Sequence, residues 1–154
     1  MSKPVRREVF ILAKLAGHAV SFLSLAVVLP SAIFYGQSLI LWGSSPDPGR
    51  FAGSVLVVLL HVLCYLALSL MLGTFFSGSG PVAGIAVGGL LGGLVAQERL
   101  KTLVVVMPWE LPDIAALMAT GAPLTRVTLP IVATALWVVL FVAVALWRFR
   151  RDEF

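Results

Sequence analysis

From Phe51 to Phe76 the chain runs without a single Asp, Glu, Lys or Arg. About 20 apolar residues carry a helix across the hydrocarbon core of a bilayer. In lipid, a helix satisfies all of its own backbone groups within one segment. Such a run therefore dictates both helix and apolar surroundings. Composition agrees: 60% of residues are hydrophobic and 12% are charged, with a mean hydropathy of +1.04. A soluble domain carries about 25% charged residues. The sequence predicts an integral membrane protein.

The net charge is +4 and the isoelectric point about 9.8. The basic residues flank apolar segments, which is the positive-inside pattern and no sign of a nucleic-acid partner. Cys64 is the only cysteine and lies within an apolar run, so a buried, inert thiol is expected. His18 and His61 have no partner at metal-ligand spacing. The start MSKPVRREVF is basic, but the apolar stretch behind it is far longer than the 7–15 residues of a secretory h-region. It reads as a retained first span.

The fold class expected is all-α: a polytopic membrane protein, one permease-like domain over 1–154, with four spans at about 19–41, 51–76, 82–100 and 127–147. Val5–Gly17 reads as a helix lying at, or entering from, the cytoplasmic interface ahead of the first span, and Pro30 should kink that span by removing a backbone N–H. GSSPDPGR (43–50) and SGSGP (77–81) read as turns. The apolar part of the third span, about Val82–Ala96, rises only about 22 Å. That is short of a core about 30 Å thick, so the span is tilted or short, or continues through QERLK. Leu103–Pro123 is apolar but broken by Pro108, Pro112 and Pro123. It predicts a short interfacial or re-entrant helix pair, with Trp109 suited to the interface. Lys3, Arg6, Arg7 and Lys14 at one end and Arg148, Arg150 and Arg151 at the other put both termini inside. The 43–50 loop and the 109–123 region then face outside, and 77–81 inside.

Gly84, Gly88 and Gly92 repeat every four residues, and Gly89 and Gly93 repeat the pattern one position over. In lipid, a strip of small residues lets helices approach closely. The strip serves either a partner helix or packing within this chain. Glu98, Arg99 and Lys101 close the segment. Glu98 and Lys101 are three apart and within pairing reach on a helix; the other reading is that these charges mark a solvated helix end. His18 and His61 read either as proton relays or as neutral histidines packed between helices. The chain has no GxxxxGK[ST] loop and no GxSxG elbow. No catalytic residue and no cofactor is expected, and any energy source lies in another chain.

Four stretches, in order, resemble the ABC-2 type transporter permeases. They are the basic start RREVFILAKLAG (6–17), the end of the second span with its turn, LALSLMLGTFFSGSGPVAG (66–84), the proline-broken stretch before the last span, and the ending ALWRFRRDEF (145–154). The family's unit has six spans, and the four read here match its last four. The resemblance implies a permease subunit of an ATP-driven exporter in the cytoplasmic membrane. It further implies a second permease subunit and a cytoplasmic ATP-binding subunit as partners. Arg6, Arg7 and Glu8 fall where the family contacts its ATPase. Glu98, Lys101, Trp109 and Glu110 fall in the gate or re-entrant region. From another class, a four-span scaffold or accessory subunit suits the same glycine strip and missing spans. An intramembrane enzyme would have only Glu98, His61 or His18 to work with.

Overall fold

The computed structural model describes residues 7–43, 46–99, 105–124 and 126–151. Among these, every regular element is a helix. The chain divides into two compact units, Met1–Ser44 and Ser45–Phe154.

The first unit is α1 (Arg7–Leu23), a π-helical turn (Ser24–Val28) and α2 (Leu29–Trp42), following one another without a gap. The helix expected at the interface before residue 19 is continuous with the stretch that follows it. Helix runs from Arg7 straight into the apolar stretch, because no proline or left-handed residue interrupts it. Pro30 does not break the helix. The turn before it widens, and the Leu29 N–H reaches back five residues to the Ser24 carbonyl. A π turn is a recognised way for a helix to absorb a disturbance of its ladder. Gly43, left-handed at φ 62°, ends α2.

The second unit holds α3 (Pro48–Phe75), α4 (Ser79–Arg99), a 3₁₀ turn (Pro108–Glu110), α5 (Leu111–Thr120) and α6 (Thr128–Arg151). Asp47 caps α3, its Oδ1 accepting the Arg50 N–H at 2.9 Å, with Pro48 in the first turn. Both turns are tighter than the sequence suggests, because Pro48–Arg50 and Ser79–Pro81 already belong to helices. The expected helix pair over 103–123 is a 3₁₀ turn leading directly into one α-helix. Pro108 and Pro112 stand in first turns, where a missing N–H costs nothing. Gly121, at φ 75°, closes α5, and the Ala122 N–H returns to the Leu117 carbonyl.

Register follows from a few contacts. Along α3 and α5, Arg50 meets Gly121, Gly53 faces Met118, Val57 clusters with Ile114, and His61 meets Pro108. The pairs step up α3 as they step down α5, so α5 lies antiparallel along the first half of α3. Lengths agree: from Arg50 to His61 α3 rises about 16 Å, and a ten-residue α5 about 15 Å. The start of α6 packs near Val57 through Val127 and Ile131. Near the other end, the Arg148 guanidinium lies 5.5 Å over the Phe75 ring. Thus α3 and α6 run parallel. The chain must therefore travel back along α3 between them: α4 carries it to the level of His61 by Gly93, and α5 runs from there to Arg50. Leu90 of α4 lies level with His61 as well.

The core is small: Val57, Leu111, Ile114 and Ala115, where α3, α5 and α6 meet. Large apolar side chains such as Ile40, Leu56, Val95, Leu136 and Val139 are exposed. Water does not tolerate so much exposed apolar surface, and lipid does. Three helices, Ala16–Leu41, Pro48–Phe75 and Thr128–Phe149, are long and apolar enough to cross a membrane. The apolar part of α4, Ser79–Gly93, is shorter.

Candidate functional site

The backbone between α4 and α5 returns to the middle of α3, and three helices hold it there. From α3, His61 Nδ1 lies 2.9 Å from the Pro108 carbonyl oxygen. A carbonyl only accepts, so Nδ1 carries the proton. From α6, the Trp137 indole N–H donates to the Val106 carbonyl at 2.9 Å. From the segment itself, the Trp109 indole N–H donates to the Gly89 carbonyl of α4 at 3.1 Å. His61 is central in the 28 residues of α3, and Gly89 is central in the 21 of α4. Non-helical backbone far from water needs such partners for its carbonyls. Trp109 therefore sits at mid-height against Gly89, not at the end of the bundle where an interfacial tryptophan belongs. The other end of α5 is held at the exposed rim, where Arg50 Nη1 donates to the Gly121 carbonyl at 2.9 Å. That guanidinium meets the negative end of the helix dipole.

The glycine strip divides in two. A side chain at Gly93 would run into the Trp109 ring, so Gly93 is the seat of that indole. Gly89 contributes its carbonyl. Gly84, Gly88 and Gly92 have nothing within 4 Å of where a Cβ would be. Packing among the described residues accounts for Gly93, while a Cβ at Gly89, as at the other three glycines, would meet open space.

Two cavities flank Trp109. One, of about 130 Å³, is lined by Tyr65, Trp109, Trp137 and Phe141 with Cys64 and Met107. The other, of about 180 Å³, is lined by His61, Tyr65, Gly93, Trp109, Pro112 and Asp113. Tyr65 and His61 meet edge to face, with centroids 5.1 Å apart. Cys64 is buried, at 2% exposure, as its place in an apolar run suggests. Glu110 is half-buried, and its Oε2 has no hydrogen-bond partner among the described residues. No group of three or more His, Cys, Asp or Glu that could hold a metal occurs among the described residues.

Several predicted residues fall elsewhere. Arg7, Glu8, Glu98 and Arg99 are in helices, but their side chains lie outside the description, as do Arg6 and Lys101 entirely. A Glu98–Lys101 pair is therefore not among the described contacts. Trp137, His61 and Arg50 were not anticipated as anchors. For Trp137 a signal existed, since an indole N–H in mid-span must find an acceptor. Compared with known protein families, curated proteins and solved structures, the chain matches none.

Proposed function

We propose that this chain is the membrane-spanning subunit of an ATP-driven, ABC-2-like exporter. It crosses the cytoplasmic membrane four times with both termini inside, beside a second permease subunit and a cytoplasmic ATP-binding subunit. The observation that carries this reading is the proline-broken segment held at mid-height by α3, α4 and α6. Broken helices at membrane depth, lined by protein, are how transporters build their paths. ATP-driven closure of the partner pushes on the N-terminal helix through Arg6, Arg7 and Glu8. The segment around Trp109 and Glu110, together with Glu98 and Lys101, acts as the gate.

The length of α4 supports the fourth crossing. At 21 residues, α4 is about 31 Å long, which matches a hydrocarbon core of about 30 Å. Single cysteines test it in a Cys64→Ser background. Pro46→Cys and Ala122→Cys should react with an impermeant maleimide from outside, and Gly78→Cys only after permeabilisation. If Thr102→Cys labels only after permeabilisation while Ala122→Cys labels from outside, α4 does not cross.

The function is tested by mild-detergent purification of the tagged chain with mass spectrometry of its partners. An ATP-binding subunit should co-purify and be lost when Arg6 and Arg7 are both changed to Glu. Recovery of membrane proteins alone would favour the second reading, a scaffold or accessory subunit. The open face of Gly84, Gly88 and Gly92 favours that reading, since it offers a close approach that no described residue of the second unit uses.

A further inference from the structure

We infer that the 180 Å³ cavity between α3, α4 and α5 is a binding site for a small organic ammonium, one protonated amine on one apolar group. Charge comes first. The cavity lies level with His61, central in α3, and Asp113 of α5 lines it. Asp113 is exposed, and no hydrogen bond or ion pair joins it to another described residue. A carboxylate at membrane depth is costly unless a cation meets it. Arg50 is engaged at the other end of α5, on the Gly121 carbonyl. A guest is left to bring the counter-charge.

The second feature is a matching acceptor. His61 holds the Pro108 carbonyl through Nδ1–H, so its other ring nitrogen, Nε2, is an acceptor, and no described residue donates to it. An ammonium only donates, and Asp113 and Nε2 only accept. The third feature is the wall. Tyr65 and Trp109 line the same cavity, and aromatic rings attract a cation over their faces. Leu90 and Pro112 complete the lining for an apolar group. The volume suffices, since a cavity of about 150 Å³ takes up benzene. A metal ion fits less well: one carboxylate and one imidazole fall short of the three or four ligands such an ion takes. The site belongs to the second unit alone and does not rest on the exporter reading.

The probe is 4-bromobenzylamine, cationic at neutral pH, whose bromine quenches tryptophan emission. Its neutral counterpart of the same size is 4-bromobenzyl alcohol. Both are titrated into the purified full chain in phosphatidylcholine nanodiscs, which carry no net charge and no primary amine. Quenching by the amine should saturate, at a concentration at least about ten-fold below that of the alcohol, the value of one charge-assisted hydrogen bond. Asp113→Asn should remove that preference and leave the alcohol unchanged. Its thermal unfolding should match the wild type, because Asp113 bonds to no described residue. Replacing part of the lipid with phosphatidylethanolamine should not weaken the amine; competition there would assign the site to a lipid headgroup and overturn the proposal. Linear quenching by the amine in the wild type would mean partition into lipid and overturn it too. So would a preference for the amine that survives Asp113→Asn.

Discussion

Replacing Gly93 with leucine should destabilise the protein by about 3–5 kcal/mol, whereas the same change at Gly88 should stay within about 1 kcal/mol. The two glycines are five residues apart on one helix and look equivalent in sequence. At Gly93 the first side-chain carbon already falls on the Trp109 ring, and at Gly88 it meets nothing within 4 Å. A leucine at 93 must expel the indole. The loss is then of the size seen when a large buried aromatic is removed. It includes the Trp109–Gly89 hydrogen bond, worth about 1 kcal/mol. Thermal unfolding in nanodiscs, followed by aggregation onset and by tryptophan emission, checks both. Gly93→Ala in a Trp109→Phe background tests the cause: the two changes should cost less together than their separate losses imply. Equal losses at Gly88 and Gly93 would mean that a partner, not Trp109, uses the strip.

The same contrast shows how far the sequence could be read. The runs around Phe51–Phe76 and Val127–Trp147 were legible because a bilayer demands length and uncharged composition, and both can be counted. The helix starts near Asp47 and Ser79 were placed two or three residues late, because a cap and a proline in the first turn belong to the helix although their residue types signal a turn. The passage from α1 into the apolar stretch was legible only as a change in polarity at Gly17–Ala19, which is not a change in backbone. Spacing placed the five glycines on one side of α4 but could not say which touches what. That depends on Trp109, sixteen residues beyond Gly93 and brought back by the fold. Trp109 itself was assigned to an interface because tryptophan is frequent there, and the preference is statistical. An indole is equally at home deep in a bundle once its N–H has a carbonyl. The parallel run of α3 and α6, and the depth of Pro108, arise only when the second unit packs.

That depth yields the second large effect. His61→Leu should cost about 1–3 kcal/mol, because it keeps the bulk and removes the donor, leaving the Pro108 carbonyl unpaired. Trp137→Phe removes the donor to the more exposed Val106 carbonyl and should cost less than His61→Leu. The double variant should cost less than the sum, since either change frees the segment that both hold. His61→Gln, which restores an N–H donor, should recover part of the loss. Hydrogen exchange over 105–110 should rise in each damaging variant. Arg50→Gln is the control at the other end of α5. It removes a bond of the same length to a carbonyl at the exposed rim, where water takes the place of the lost donor, so it should cost under about 1 kcal/mol. The difference between the two ends measures how dry the middle is. A large difference means that Pro108 lies where water cannot reach, as a gate closed within the membrane requires. If His61→Leu is as mild as Arg50→Gln, the mid-height segment is already wet, and it cannot be the barrier that an exporter needs.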